Sequence, residues 1–244
     1  MGQARTSFVI LGQSRSGTQL LRALLATHPG IHCDGELFHK NLEYTRFRAL
    51  REILRLYPYP LLEHRMNIST APVYGFNLMF YHVHFPKLVL RRLAQAGWTI
   101  IHLMREDLIE VALSFLKASR SNTWHRHAGD ARPDYRVTIT PDQLSAELLK
   151  RIRWRTLELD LLDNIRHVKV NYEDDLQDAC HWQAACDRIF SALKLQRHHV
   201  GTSLLKTDAR RSDEIIENYA ELQAWLNSSR YPEQLQQVNS ARRH

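Results

Sequence analysis

This sequence is poor in several things, and each shortage closes off a class of protein. No apolar run approaches the ~20 residues needed to cross a bilayer, which excludes a transmembrane helix. Only three cysteines are present, Cys33, Cys180 and Cys186. An odd count without CxxC spacing fits neither a disulfide framework nor a zinc site. No internal repeat, low-complexity tract or composition break marks a linker, so a single domain over residues 1–244 is the expectation. Met1–Arg5 is too short a stretch before the first apolar run to serve as a signal peptide, and the cytoplasm is the expected location. Whether the chain is the excised catalytic domain of a longer protein stays open. Acidic residues are also short in supply: 26 against 33 lysines and arginines, a formal charge of +7. That balance favours anionic partners. The basic residues are dispersed rather than gathered in one block, so nucleic acid is not the expected partner.

Enough apolar material remains, at 44%, to fill a core. Ser7–Gly12 reads as a buried strand ended by glycine, and Thr18–Thr27 as a helix with Leu20, Leu21, Leu24 and Leu25 on one face. Further strands are expected at Thr99–Met104 and His167–Tyr172. Helices are expected at Glu106–Arg120, Trp154–Leu162, Trp182–Leu193 and Asp213–Leu226. Tyr57–Pro60 and Asn122–Pro141 read as loops. Strands separated by helices imply an α/β fold: three layers, α/β/α, around a central parallel sheet, with ligands bound beyond the carboxyl ends of the strands.

One further absence is more specific. "GQSRSGTQLLRALL", Gly12–Leu25, has the glycine spacing of a phosphate-binding loop, which in nucleoside triphosphatases reads GxxxxGK[ST]. Thr18 takes the lysine position and Gln19 the position of the magnesium-binding hydroxyl. Both groups needed for triphosphate hydrolysis are therefore missing, while Arg15 brings a forked cation into the loop. The backbone N–H groups and the positive end of the following helix still make an anion site.

Gln13–Thr18 followed by Leu20-Leu21 resembles the 5′-phosphosulfate loop of the sulfotransferases. The likeness continues in three places. Ile100–Trp124 is similar to the family's 3′-phosphate segment, with Arg105 ending a strand and Ser114 nine residues on; "VKVNYEDDLQD" (Val168–Asp178) resembles a strand ending at Tyr172; and Lys206–Leu222 is similar to a late basic segment. The wording Arg211-Ser212-Asp213-Glu214 is most like bacterial carbohydrate sulfotransferases, of the trehalose 2-sulfotransferase and nodulation-factor type. The resemblance spans roughly Ser7–Leu226 and implies the phosphate-loop hydrolase-like sulfotransferase fold. It implies 3′-phosphoadenosine 5′-phosphosulfate as donor substrate and 3′-phosphoadenosine 5′-phosphate as product, with no metal. Arg15, Ser16, Gly17, Thr18 and Gln19 would bind the phosphosulfate, and Arg105, Ser114, Arg210 and Arg211 the 3′-phosphate. Tyr172 would lie against the adenine.

Transfer of a sulfuryl group to a hydroxyl needs a base near the loop. "HCDGELFH" (His32–His39) offers Asp34, Glu36, His32 and His39, and Gly35-Glu36 matches the position where the trehalose-type enzymes carry their general base. Glu36 is thus the expected base and Arg15 the expected cation, with Asp34 and His39 as reserves. "VYGFNLMFYH" (Val73–His82) resembles a family stretch in which a lysine is common where Asn77 stands, leaving Arg15, or a cation such as Lys87, to neutralise the leaving group. His82 and His84 have strand-like spacing but no identifiable carboxylate or cysteine partner, so no metal is expected there. Trp124 and His125–His127 are expected to line an acceptor groove. The acceptor would be a hydroxyl-bearing small molecule, sugar or glycolipid, its specificity set by residues 40–93 and 122–141. Three alternatives stay open: a nucleotide kinase or triphosphatase, a non-catalytic nucleotide- or nucleic-acid-binding relative, and, for the assembly, a homodimer.

Overall fold

Five short runs set the frame. In the computed structural model, which describes residues 6–39, 47–121, 135–203, 211–229 and 231, they form one parallel sheet. Strands β1 (Thr6–Leu11), β2 (Ile31–Glu36), β3 (Val73–Leu78), β4 (Thr99–Met104) and β5 (His167–Asn171) run in the order β2-β3-β1-β4-β5. The expected α/β architecture, a central parallel sheet flanked by helices, is the observed one. β1 takes the centre because it can be buried on both faces: Phe8, Val9, Ile10 and Leu11 are all fully buried. On β3, Gly75 leaves room for the Phe8 ring, since a Cβ there would stand 2.2 Å from Phe8 Cζ.

Helix α1 (Thr18–Leu25) packs Leu21, Leu24 and Leu25 into a core with Phe8, Ile10, Ile101, Leu103 and Val170. Cys186, Ile189 and Phe190 of the helix Ala179–Ala192 (α7) complete it. Between β2 and β3 lie α2 (Arg48–Leu56) and α3 (Tyr59–Ile68), and between β3 and β4 a 3₁₀ turn (Phe80–His82) and α4 (Pro86–Gln95). After β4 come α5 (Leu108–Ser121) and α6 (Pro141–Leu161). The last described helices are α8 (Ser212–Ile215) and α9 (Tyr219–Ser228). No helix among the described residues is long and apolar enough to cross a membrane.

The chain packs as two compact units, the first drawn from Met1–Met104 and Glu158–Thr202, the second from Arg105–Leu157 and Ser203–His244. The first holds the whole sheet. The second has its own core of Ala112, Leu113, Ile139, Leu144, Leu148, Ile215, Ile216, Leu222 and Leu226. Beside that core Lys117 Nζ donates to Ser212 Oγ (3.0 Å), which donates to Glu110 Oε1 (2.9 Å).

Several sequence expectations are corrected here. The Tyr57–Pro60 loop is in part the start of α3, where Pro60 sits at a first-turn position that needs no N–H partner. The Trp154–Leu162 helix is only the end of the much longer α6. The single helix expected at Asp213–Leu226 is broken, because Val137 N–H donates to Ile215 O (2.9 Å) and Glu217 N–H to Val137 O (3.0 Å). Asn218 holds the break open, its amide bonding both the N–H and the C=O of Ile139.

Candidate active site

The loop expected to hold phosphate leaves the carboxyl end of the central strand, where β1 has β3 on one side and β4 on the other. Two of its residues are left-handed, Arg15 at φ 71° and Gly17 at φ 100°. Gly17 is also the N-cap of α1, without a side-chain cap or an acidic residue in the first turn. The N–H groups opening α1 are therefore available to an anion, and alternation of backbone handedness turns them toward a common concavity. Holding a non-glycine residue such as Arg15 in this conformation costs about 1–3 kcal/mol, a strain characteristic of ligand-binding loops.

The loop is fixed from outside. Gln13 is buried and its Nε2 donates to Glu158 Oε2 (3.0 Å); Ser14 N–H donates to the Tyr81 hydroxyl (3.2 Å). A Cβ on Gly17 would stand 2.6 Å from Tyr172 Cδ2, so glycine is required there by both φ and space. Tyr172, expected against adenine, is 7% exposed and packs in the core under the loop. Ser16, expected as a phosphate donor, gives its hydroxyl proton to Gln13 O (2.7 Å). Thr18 is buried at the start of α1, and Gln19 Oε1 accepts from Arg22 Nε (2.8 Å).

β2 and β3 were not anticipated, and they bring the second half of the site. β3 lies beside β1 with Ile10 opposite Asn77, and β2 lies beside β3 with Glu36 opposite Asn77 after an irregularity at Asp34/Glu36. Asp34 and Glu36 are two residues apart with contrasting surroundings. Asp34 accepts from Arg65 Nε (2.9 Å) and Nη2 (2.6 Å) and from the Tyr74 hydroxyl (2.7 Å), and His32 Nε2 lies 3.2 Å away. Burial alone would raise its pKa, but these hydrogen bonds and the Arg65 charge hold it below the ordinary carboxylate value. Asp34 is committed to structure. Among the described residues Glu36 has no such donors, and burial raises its pKa, which suits a proton acceptor.

Beside Glu36 stands a residue that sequence reasoning set aside. His82 Nε2 lies 4.0 Å from Glu36 Oε2, and the His39 and His82 rings meet edge to face at 5.2 Å. His82 is in a 3₁₀ turn rather than a strand, so the expectation that it lacked a carboxylate neighbour is corrected. His84 has one as well, Glu52 Oε2 at 3.0 Å. Burial first, then the His39 and Arg55 charges, push the His82 imidazole down to about 3. The pair is thus a carboxylate beside a neutral imidazole rather than an ion pair. Glu36, His39 and His82 present one ligand atom each within 4.8 Å of one another, a donor set of the kind that accepts a divalent transition metal.

Asn77 completes the group. It is 1% exposed, and neither its Nδ2 nor its Oδ1 has a hydrogen-bond partner among the described residues; His82 Nδ1 is likewise buried and unpartnered. Buried polar atoms normally find partners, so the unpaired amide and imidazole stand out near the half-buried Glu36 carboxylate. Lys87, the alternative cation, is turned to Asp160, with Nζ 3.1 Å from Oδ2.

The remaining expected residues belong to the second unit. Arg105 is its first residue, its carbonyl accepting from Arg155 Nη2 (2.6 Å), and Ser114 lies half-buried on α5. Arg211 is exposed and paired with Asp213 (3.1 Å). Arg210, Lys206, Trp124 and His125–His127 lie outside the described residues.

Residues 7–69, which carry β1 from its second residue, the loop, Glu36 and the whole of α3, match a family model described as the sulfotransferase family. Two solved structures are similar over almost the whole length. A sulfotransferase from Alicyclobacillus acidocaldarius aligns at TM-score 0.55 and 17% identity, covering 91% of this chain and 93% of its own. The sulfotransferase domain of the Synechococcus PCC 7002 olefin synthase aligns at TM-score 0.50 and 15% identity, covering 100% and 96%. No curated protein matches the sequence. The fold of this chain, with its strand, phosphate loop and helix at the centre of a five-stranded parallel sheet, is the fold of those sulfotransferases.

Proposed function

We propose that the chain is a sulfotransferase that moves the sulfuryl group of 3′-phosphoadenosine 5′-phosphosulfate to a hydroxyl of a carbohydrate or glycolipid. The observation that carries this reading is the lysine-free loop of left-handed Arg15 and Gly17 opening an uncapped helix, inside the segment that matches the sulfotransferase family model. Arg15, Thr18 and the N–H groups of α1 hold the phosphosulfate, which supplies the activated sulfuryl group. Glu36 takes the proton of the acceptor hydroxyl as its oxygen bonds to sulfur and the bond from sulfur to the 5′-phosphate oxygen breaks. Arg15 stabilises the charge that develops on the departing phosphate, and Asn77 adds a neutral donor where relatives commonly have lysine. The neutral His82 imidazole stands 4.0 Å from the Glu36 carboxylate. The resemblance adds Arg105, Ser114, Arg210 and Arg211 for the 3′-phosphate, within one catalytic domain working in the cytoplasm.

The test has two parts. The 3′,5′-bisphosphate product is expected to raise the melting temperature more than AMP or ATP does; equal shifts would remove the donor assignment. Labelled-donor transfer across sugar, glycolipid and phenol acceptors then identifies the hydroxyl. Magnesium-dependent turnover of ATP, with no transfer to any acceptor, would replace the reading with a phosphohydrolase or kinase.

A further inference from the structure

Helix α2 is mounted the wrong way round for an amphipathic helix of a globular protein. Its apolar residues Leu50, Ile53 and Leu54, with Tyr57 just beyond its end, recur at i, i+3, i+4 and i+7 and so share one face. That face belongs in a core, yet α2 has no buried residue, and Ile53 is 56% and Tyr57 52% exposed. What docks the helix is its polar edge: Arg55 Nε donates to His82 O (2.9 Å), Arg55 Nη2 to Tyr81 O (3.3 Å), and Glu52 meets both Arg55 and His84. The His84 N–H also donates to Arg55 O (3.1 Å), which brings the following residue, Phe85, to the carboxyl end of α2. Phe85 is exposed, and so is Leu88 one turn further on. The apolar surface therefore extends beyond the helix.

We propose that this surface docks the first unit onto an anionic phospholipid membrane, with α2 lying in the interface. Three features favour a lipid surface over a second copy of the chain. The apolar side chains are bordered by cations: Arg51 lies on the flank of α2, and exposed Arg91 and Arg92 follow exposed Leu88 at i+3 and i+4 on α4. An apolar face with arginines along its margin is the pattern of helices that lie in a headgroup layer, where the stem of arginine is buried and its charge meets lipid phosphate. The only carboxylate of α2, Glu52, is paired with Arg55 on the side of the helix away from the apolar face, so it does not oppose an acidic surface. Finally, the chain carries +7 overall, which attracts it to a negative leaflet but repels an identical molecule. The inference concerns binding alone and stands or falls separately from the transfer reaction.

The experiment is co-sedimentation of the full chain with vesicles of phosphatidylcholine, with and without about a quarter phosphatidylglycerol. The protein is expected to pellet with the anionic vesicles and stay in solution with the neutral ones. Leu50→Asp with Ile53→Asp, both at exposed positions, should lower the partition coefficient at least about tenfold while the melting temperature stays put. Arg91→Glu should weaken binding and flatten its salt dependence, and it serves as an independent variant should the double one misfold. Absence of wild-type binding to anionic vesicles overturns the proposal. So does a double variant that binds like the wild type, because then net charge alone is responsible. A dimer in sedimentation velocity that the double variant dissolves, without vesicle binding, would give the face to a second copy.

Discussion

Two carboxylate neighbourhoods at the end of β2 are built from the same materials and differ in completion. Around Asp34, every strong group has a partner: Arg65, Tyr74 and His32 all converge on one carboxylate. Around Glu36, Asn77 and His82 bury polar atoms that nothing in the described chain satisfies. A saturated polar cluster stabilises its own fold, whereas an unsaturated one depends on the surrounding scaffold to hold it in place. The Lys117–Ser212–Glu110 group of the second unit belongs to the first kind.

Several substitutions test that contrast, the largest effect first. Glu36→Gln should lower turnover about a thousandfold, the scale of a lost general base, while the bisphosphate product still binds. An unchanged rate would remove Glu36 as the base. Asp34→Ala should instead cost stability, about 3 kcal/mol in urea unfolding, since it strands Arg65 and Tyr74 without their acceptor. Gly17→Ala comes next, at about 2 kcal/mol, from a φ of 100° that alanine resists and from collision with Tyr172. Asn77→Val is expected to go the other way, stabilising the free protein by about 1 kcal/mol by removing an unpaired amide, while weakening donor binding. A stability loss for this variant would mean the amide is satisfied in the free protein.

The two carboxylates should also respond oppositely to acid. Asp34 titrates below its ordinary 3.8, so its contribution is fully present above that pH and is lost as pH falls through the lower, folded value. Glu36 titrates above its ordinary 4.5, so its burial as an anion disfavours the fold at neutral pH and is relieved as pH falls through the raised value. Activity should accordingly fall on the acid side at a pH above 4.5. Unfolding measured against pH in Asp34→Asn and Glu36→Gln should show one slope removed in each variant.

Much of the frame was legible because burial on both faces leaves an unmistakable pattern. Phe8–Leu11 is a continuous apolar run and Ile100–Met104 is one broken only by His102, and both are strands. β2 and β3 escaped for a stated reason: "IHCDGE" and "VYGFNL" carry the polar and glycine residues of the site itself. Asp34 is acceptable in a buried strand only because Arg65 arrives from α3, and Gly75 only because Phe8 fills its space. No local pattern announces either. Glu36 was reachable from its place after the loop helix, but its neighbour His82 lies far along the chain and meets it only through the β2–β3 pairing. The broken helix at Ile216 escaped similarly, since the periodicity of residues 213–226 is helical and only Val137 and Ile139 interrupt it.

The Tyr172 ring under Gly17 has one more consequence. The loop is written near the start of the sequence, but its shape is enforced by a side chain at the end of β5 and by Glu158 of α6. The segment matched as sulfotransferase is therefore not a portable module. Grafted onto another sheet, residues 7–69 would take the motif along and leave its mould behind.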